Sequence, residues 1–252
     1  MEVIRGRMKE DHENQTQKLN FFYITNFIII MIYLADTANI EEIKDLFNYY
    51  PMEGVTTNPT ILSKEDKKLS VIIPEILECI GNKMIHIQTI SENSDDILLE
   101  AKRYRDYFDL KNNFYVKIPV TREGYRAIRM VKDAGMNVTA TAIFTQQQAL
   151  IAANAGADFV APYVNRLDNI SSHGIDVVSD IVKTFRLFNM TTRVLAASFK
   201  NVDQIYRVSM VGCHSVTASH DVLTSLMNHP MTDRGVMDFE RDGSHLYDVS
   251  HS

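Results

Sequence analysis

The chain has 252 residues, enough for one large domain or two small ones. Its 26 basic and 32 acidic side chains give a formal charge of −6, which argues against non-specific nucleic-acid binding but leaves room for a local phosphate site. Its two cysteines, Cys79 and Cys213, are too few for a disulfide framework or a zinc site, and a reducing cytoplasm is the default location. No histidine pair has a metal-ligand spacing such as H-E-x-x-H, so we expect no metal.

The first 30 residues form an N-terminal extension, 1–30. Residues 1–20 are polar and charged, which predicts disorder. Residues 19–35 are apolar, but the run is short for a membrane span, contains Thr25 and Asn26, and leads directly into Asp36. No small-residue cleavage site follows it. We interpret 1–30 as disordered or as a start-site artefact, with Met31 as the true start, and expect no membrane association.

From Met31 onward, short apolar runs alternate with helix-length amphipathic stretches. Several runs are apolar throughout, as expected for parallel strands that are covered on both faces. Eight such βα repeats predict a single (β/α)8 TIM barrel over 31–252, because no linker divides this range. A doubly wound open sheet is the alternative, but it usually has fewer strands and here lacks a Gly-rich fingerprint. The predicted strands are 31–36, 54–57, 84–89, 114–120, 137–144, 158–164, 193–198 and 213–218.

Helix ends and helix starts carry consistent signals. Gly135, Gly156 and Gly212 each follow a helical stretch and precede an apolar run, which predicts left-handed helix C-caps. Three helix starts have capping-box spacing. They are Asn39 with Glu42, Thr145 with Gln148, and Asn201 with Gln204.

The active site of such a barrel lies at the C-terminal ends of its strands, so the polar residues found there are the candidates. Every predicted strand contributes at least one. The set is Asp36, Thr56, Asn58, Gln88, Lys117, Thr141, Tyr163, Asn165, Arg166, Ser198, Lys200 and Thr217.

Lys117 is the sharpest candidate because it lies within a strand-like apolar run, between Val116 and Ile118. Alternation places it on one strand face with Tyr115 and Pro119. If that face points into the barrel, desolvation lowers the lysine pKa and leaves a neutral amine that can attack a carbonyl. Periodicity also allows a lysine whose stem packs on apolar surface while its ammonium reaches water.

The other candidates have structural alternatives of the same kind. Asp36 could act as a general base or cap the next helix. Arg166 could hold a phosphate or form an exposed ion pair. Ser198 and Lys200 could form a phosphate site at a helix N-terminus or a simple N-cap, and turn chemistry alone would explain Asn58.

Seven sequence blocks decide between these alternatives, because their order and spacing fit one family with small insertions only. Over 31–248 the chain resembles the transaldolase family of Schiff-base aldolases, and specifically its short fructose-6-phosphate aldolase branch. The blocks are DTAN (36–39), GVTTNPT (54–60), VKIPVT (116–121), TATA (139–142), APYVNR (161–166), LAASFK (195–200) and HPMTD (229–233).

The resemblance implies a role for each candidate. Lys117 is expected to form the Schiff base with C2 of a ketose phosphate, and Asp36 to take the C4 hydroxyl proton as C3–C4 breaks. Thr141, Gln88 and Tyr163 are expected to act on the water that makes and hydrolyses the imine. No cofactor is implied. Asn58 is expected to bind hydroxyls of the donor half, and Arg166, Ser198 and Lys200 are expected to hold the phosphate. Thr56 and Asn165 are also expected to bind substrate.

Three positions favour the aldolase branch: Gln88, Ala161 and Tyr163 stand where transaldolases carry glutamate and a Ser-Pro-Phe run. We therefore expect formation or cleavage of fructose 6-phosphate from dihydroxyacetone and glyceraldehyde 3-phosphate. The alternatives are transaldolase activity in the pentose phosphate pathway, a 6-substituted ketose as substrate, and a catalytically silent barrel used for binding. The resemblance also implies a cytoplasmic homo-oligomer, a pentamer or decamer, and an extra C-terminal helix, although the family's tryptophan near Gly243 is missing.

Overall fold

The computed structural model describes residues 31–247, so the interpretation of 1–30 lies outside the described residues. Within 31–247, no helix is both long enough and apolar enough to cross a membrane.

Eight parallel strands close into a barrel in sequence order, each paired with its neighbours in the chain and the last with the first. All eight predicted strands are present, and closure rules out the open-sheet alternative. The strands are β1 (Ile32–Asp36), β2 (Met52–Thr56), β3 (Met84–Gln88), β4 (Phe114–Pro119), β5 (Asn137–Ile143), β6 (Phe159–Pro162), β7 (Arg193–Ala196) and β8 (Ser215–Ala218).

At least one helix follows every strand, as in a (β/α)8 barrel, and an additional helix is present at the C-terminus. The helices are α1 (Ile40–Tyr49), α2 (Pro59–Leu62), α3 (Leu69–Ile80), α4 (Ser94–Tyr107), α5 (Arg122–Asp133), α6 (Gln146–Asn154), α7 (Val164–Asp168), α8 (Gly174–Leu187), α9 (Val202–Met210), α10 (His220–Met227) and α11 (Pro230–Gly243). The predicted fold class, including the extra C-terminal helix, is therefore confirmed.

The helix caps follow the sequence signals closely. Thr145 and Gln148 form a complete capping box. The Thr145 side chain accepts a hydrogen bond from the backbone N–H of Gln148, and the Gln148 side chain accepts one from the backbone N–H of Thr145. Asn39 and Asn201 also cap their helices, but the side chains three residues later bond elsewhere. The three predicted glycine C-caps have positive φ, at 75°, 102° and 79° for residues 135, 156 and 212.

Two apolar clusters show which way each strand residue points. The larger cluster contains Val116 and Ile118 together with buried helix residues, so this face of β4 packs against the helix layer. The smaller cluster contains Leu34, Phe159 and Leu195, and Tyr115 packs against it. Because these residues come from β1, β6, β7 and β4, they fill the inside of the barrel. Alternation along β4 therefore turns residue 117 inward.

Candidate active site

Lys117 is almost completely shielded from solvent inside the barrel mouth. Its side chain lies on the inward face of β4, and the residue is only 5% exposed. Its Nζ donates a hydrogen bond to the main-chain oxygen of Thr57 at 2.7 Å. Burial lowers the pKa of Lys117, and the nearby charge of Asp36 opposes that shift only in part. The ammonium therefore loses its proton more easily than a surface lysine does.

Asp36 ends β1 and shares the same cavity with Lys117. Its Oδ1 accepts a hydrogen bond from Thr56 Oγ1 at 2.7 Å, and Thr56 Oγ1 is also 2.7 Å from Thr217 Oγ1. Burial raises the pKa of Asp36, while the charge of Lys117 and the Thr56 hydrogen bond act in the opposite direction. Burial thus favours the neutral forms of both groups, and each charge stabilises the other, so a proton can move within this site at small cost.

A polar pair forms the layer beneath the lysine. His86 is fully buried, and its Nδ1 lies 2.8 Å from Thr139 Oγ1. Its ring stacks on Tyr115 with centroids 4.5 Å apart. Burial, with the charge of Lys117 added, lowers the pKa of His86 well below its ordinary value. The imidazole is therefore neutral and adds no second cation below the amine.

Thr141 and Tyr163 meet at the ends of β5 and β6. Thr141 Oγ1 and the Tyr163 hydroxyl are 3.1 Å apart. Ala142, next in the chain, has a φ of 58°, and the register between β5 and β6 shifts between Ala140 and Ile143. Such an irregularity at a strand end re-aims the neighbouring side chain. The two hydroxyls can therefore share a proton or together bind one water at the side that faces the cavity.

The loops after β6 and β7 bring cations and amide groups to one side of the mouth. The guanidinium of Arg166 lies over the Tyr163 ring, with Cζ 4.7 Å from the ring centroid. Ser198 has a φ of 64°, and its main-chain oxygen accepts from the Asn165 N–H at 2.7 Å. With Lys200 on the same segment, this side of the mouth offers charge and hydrogen-bond donors to an anion.

Gln204 holds these two loops together, and sequence reasoning assigned it only a capping role. Its Oε1 accepts from the Lys200 N–H at 2.8 Å. Its Nε2 donates to Asp168 Oδ2 at 2.7 Å and to Asn165 Oδ1 at 3.3 Å. One buried amide therefore fixes the segment that follows β7 against α7. A glutamine on a helix N-terminus carries no sequence signal for such a bridge.

These groups surround one cavity of 390 Å³ at the C-terminal ends of the strands. Every predicted site residue except one lines it: Asp36, Thr56, Asn58, Lys117, Thr141, Tyr163, Asn165, Arg166, Ser198 and Lys200, together with Thr217. Asn58 also caps α2, because its Oδ1 accepts from the Ile61 N–H at 3.0 Å. Asn58 therefore both caps α2 and lines the cavity, and its contact with a substrate stays a prediction.

Gln88 is the exception. It pairs in register with Lys117 across β3 and β4, yet it lines a neighbouring cavity of 620 Å³ with Thr121 and Arg122. The structure thus places Gln88 beside the reactive strand position and, by alternation with the inward His86, on the inward face of β3. Its action on water stays a prediction.

Four polar lining residues were not predicted from the sequence: Thr60, Lys64, Asn169 and Ser219. Lys64 and Thr60 belong to the segment after β2, and the other two follow α7 and β8. Only Ser219 could have been predicted from its position, because it directly follows a strand and therefore lies at the barrel mouth. Thr60 lies in the short helix α2, and Lys64 and Asn169 lie on loops whose path over the barrel mouth depends on tertiary packing.

Among residues 31–247 there is no group of three His, Cys, Asp or Glu side chains arranged to hold a metal ion. The fold and the site together define a (β/α)8-barrel protein with a buried lysine and a partly buried carboxyl at the C-terminal side of its strands. The solved structure titled "Native KDPGal structure" is similar to this chain with a TM-score of 0.53 and 14% identity, covering 76% of this chain and 82% of that one. At this identity the likeness supports the fold alone.

Sequence comparison identifies the family. Residues 33–251 match the family described as Transaldolase/Fructose-6-phosphate aldolase. A probable transaldolase of Thermoanaerobacter sp. (strain X514) is 34% identical over 212 residues, 84% of this chain and 96% of the relative. A probable fructose-6-phosphate aldolase of Streptococcus pneumoniae (strain ATCC 700669) is 38% identical over 214 residues, again 84% and 96%. The chain belongs to the transaldolase/fructose-6-phosphate aldolase family and is an enzyme of it.

Proposed function

We propose that this enzyme is a class I aldolase that cleaves or forms fructose 6-phosphate, with dihydroxyacetone and glyceraldehyde 3-phosphate as the other partners. The proposal rests on one observation above all. Lys117 lies almost dry in a polar cavity, with its pKa lowered by burial, and shares that cavity with Asp36. A neutral amine beside a carboxyl that can exchange a proton is what imine chemistry at a ketone requires.

The first half of the reaction builds the imine. The neutral amine of Lys117 adds to C2 of the open-chain ketose, giving a carbinolamine. Proton transfer to its hydroxyl releases water and leaves a protonated imine. The paired hydroxyls of Thr141 and Tyr163, 3.1 Å apart, are placed to deliver that proton and hold the departing water. Gln88 would assist from the inward face of the neighbouring strand β3.

The second half breaks the carbon–carbon bond. Asp36 takes the proton of the C4 hydroxyl, the C3–C4 electron pair moves into the protonated imine, and C4 leaves as the aldehyde of glyceraldehyde 3-phosphate. The resulting enamine takes a proton at C3. Water then adds to the imine, and dihydroxyacetone departs while Lys117 regains its amine. No electron donor or cofactor enters this sequence.

Substrate orientation follows from the distribution of charge in the cavity. Arg166, Lys200 and Ser198 lie after β6 and β7 and offer donors to a phosphate. Thr56 ends β2 and Asn58 follows this strand, and both offer hydrogen bonds to the hydroxyls of the three-carbon donor half. The phosphate end would thus point to one side of the mouth and the donor end to the other, with C2 at Lys117.

Transaldolase activity is the second candidate, because relatives named probable transaldolase are 34% to 36% identical to this chain. In that reaction the enamine attacks the aldehyde carbon of erythrose 4-phosphate instead of taking a proton. The deciding experiment incubates the enzyme with fructose 6-phosphate, with and without erythrose 4-phosphate, and measures free dihydroxyacetone. Its release without the acceptor supports the lyase, whereas strict dependence on the acceptor supports the transferase.

Two further measurements test the imine mechanism itself. Borohydride added with fructose 6-phosphate should reduce the imine and attach the donor unit to the peptide that contains Lys117. Activity should survive EDTA, because the proposed steps use only protons and the lysine amine. Loss of activity in the chelator, or labelling of a different peptide, would contradict the imine mechanism. A silent binding barrel would show neither label nor turnover.

We also propose that the enzyme acts in the cytoplasm as a homo-oligomer, a pentamer or a decamer. Cys79 and Cys213 are both unpaired thiols, which fits a reducing compartment. Helix α11 contains no buried residue, and it exposes Met237 and Phe239 to the extent of 66% and 77%. Apolar exposure of this degree on a helix favours burial against another copy of the chain.

A further inference from the structure

A third cation lines the active-site cavity from the side opposite to the phosphate-binding pair. Lys64 follows α2, on the segment after β2, whereas Arg166 and Lys200 follow β6 and β7. In a closed ring of eight strands taken in order, β2 lies directly across from β6. The cavity therefore has positive charge on both sides of its mouth, although a sugar monophosphate carries only one phosphate.

The segment that carries Lys64 is fixed to the barrel rim. The Lys64 N–H donates to the main-chain oxygen of Ile61 at 3.2 Å. The next residue, Glu65, accepts a hydrogen bond from Asn39 Nδ2 at 3.3 Å, and Asn39 caps α1 directly after β1. Lys64 is thus tied into the same corner of the mouth as Asp36, at the end of β1.

Within residues 31–247 Lys64 forms no salt bridge with a carboxylate, although its charge helps to lower the pKa of Asp36. Its neighbour on the same segment, Lys67, behaves differently and pairs with Glu75 at 2.7 Å. Asn58 and Thr60 line the cavity on the same side as Lys64 and add an amide and a hydroxyl. An unpaired ammonium beside hydrogen-bonding side chains at a cavity wall is suited to bind an anion.

We infer that Lys64 forms a second anion subsite, at the donor end of the cavity, which binds a phosphate at C1 of a sugar whose C6 phosphate lies on Arg166 and Lys200. This inference rests on the proposed function, because the orientation of the sugar comes from it. The ligand class is an open-chain hexose derivative with an anionic group at each end. Such a ligand bridges both sides of the mouth, so it occupies the site in competition with a ketose monophosphate.

Binding should be measured with ligands that cannot react. Hexitol 6-phosphate and hexitol 1,6-bisphosphate have no carbonyl and form no imine, so calorimetric titration reports binding alone. The wild-type enzyme should bind the bisphosphate about tenfold more tightly, the effect of one additional charge-assisted contact. In Lys64→Met the ratio of the two affinities should fall to about one, while Lys67→Met, the control on the same segment, keeps the wild-type ratio.

Two outcomes would overturn the inference. An affinity ratio that is the same in Lys64→Met as in the wild type would show that Lys64 binds no second anion. An equal loss of affinity for both hexitols in Lys64→Met would show that Lys64 contacts the C6 phosphate instead. Neither result depends on imine formation, so failure of the proposed reaction would appear separately, as absence of borohydride labelling.

Discussion

Lys117 Nζ donates to the main-chain oxygen of Thr57 at 2.7 Å, a bond that joins β4 to the end of β2 across β3. Thr57 is itself fixed to β3, because its N–H and its Oγ1 both donate to the main-chain oxygen of His86, at 3.0 and 3.1 Å. The amine is thus positioned by a rigid backbone carbonyl, whereas the hydrogen bond to Asp36 comes from Thr56. The carboxyl is therefore left available for the C4 hydroxyl of the substrate.

Replacing this lysine should separate catalysis from stability. Lys117→Met should reduce turnover of fructose 6-phosphate at least a thousandfold, because methionine cannot form an imine, and should abolish borohydride labelling. The free energy of unfolding should change by no more than about 1 kcal/mol, because relief of a desolvated ammonium offsets the lost hydrogen bond to Thr57.

The matched control is Lys183→Met, which removes a lysine whose side chain is 73% exposed on α8. It should change neither turnover nor stability measurably. Near-native turnover in Lys117→Met, measured by release of glyceraldehyde 3-phosphate in a coupled assay, would exclude the Schiff-base assignment. Urea unfolding of the same preparations supplies the stability comparison.

The lowered pKa of Lys117 should also make stability depend on pH in a defined direction. Between its folded-state pKa and the ordinary lysine pKa of 10.5, the unfolded chain binds more protons than the folded one. Stability contributed by this site therefore rises with pH in that window, since the folded state no longer holds a buried ammonium. Below the folded pKa the penalty for burying the charge is fully present.

We therefore expect the free energy of unfolding of the wild type, minus that of Lys117→Met, to increase as the pH rises towards 10.5, the ordinary lysine pKa. Taking the difference between the two proteins removes the contributions of titrating groups that do not interact with Lys117, whereas Asp36 and His86, whose pKa values depend on its charge, still contribute. A difference that stays constant or falls over this interval would show that Lys117 is not desolvated as the geometry indicates. The imine-forming rate should rise over the same interval, because the neutral amine is the nucleophile.

Asp36→Asn should stop carbon–carbon cleavage while leaving the imine intact. An amide keeps an oxygen for the Thr56 hydrogen bond but cannot accept the C4 hydroxyl proton, so kcat should fall about 100-fold or more. Borohydride should still label Lys117 in the presence of ketose. Asp180→Asn, on the surface of α8, serves as the control and should retain kcat. Simultaneous loss of labelling and cleavage in Asp36→Asn would assign this carboxyl to imine formation rather than to the C4 proton.

The barrel and the inward direction of Lys117 could be predicted because both follow from the pattern of apolar residues along the chain, and tertiary packing does not change that pattern. Eight apolar runs separated by capped helices leave few arrangements, and the flanking residues Val116 and Ile118 fix the face of Lys117 once the barrel closes. Likewise Asp36 and Thr217 lie at strand ends, so strand geometry alone brings them to one mouth.

The paths of the loops and the irregularities of the strands could not be predicted from the sequence in the same way. Gln88 occupies the expected strand position, yet it lines the next cavity, whose shape depends on the segments that follow β3 and β4. Lys64 lines the site only because the bond between Asn39 and Glu65 holds its segment at the rim, a contact between residues 26 positions apart. The positive φ of Ala142 likewise depends on the register between β5 and β6, not on local propensity.

Tyr163→Phe should shift the balance between release and transfer of the donor unit. The ring still packs edge-to-face on Phe144 and beneath the Arg166 guanidinium, but the hydroxyl next to Thr141 is lost. Release of free dihydroxyacetone, which needs proton delivery and water, should fall about 100-fold. Transfer to erythrose 4-phosphate, which replaces that step by attack on an aldehyde, should fall much less.

The control for this variant is Tyr125→Phe, since Tyr125 lies on α5 and its hydroxyl contacts only the Gln148 main-chain oxygen, at 3.5 Å, among residues 31–247. It should leave both activities unchanged. Both reactions are measured on the same preparations, and the ratio of their rates is the quantity of interest. If Tyr163→Phe lowers both rates by the same factor, the phenol takes no selective part in product release.

The exposed apolar surface of α11 should decide the assembly state. This helix has no buried residue and exposes Met231, Met237 and Phe239, which is costly in water for a single chain but not when a second copy covers them. Light scattering should therefore give the full-length protein a mass of five or ten chains.

A chain ending at Asn228 should have a much smaller mass and retain the barrel's circular dichroism, because the removed helix contributes nothing to the buried core. The milder double substitution Met237→Ser with Phe239→Ser should weaken assembly in the same direction, since it removes apolar contact area without removing the helix. Equal masses for the full-length and shortened chains would show that α11 does not join the copies.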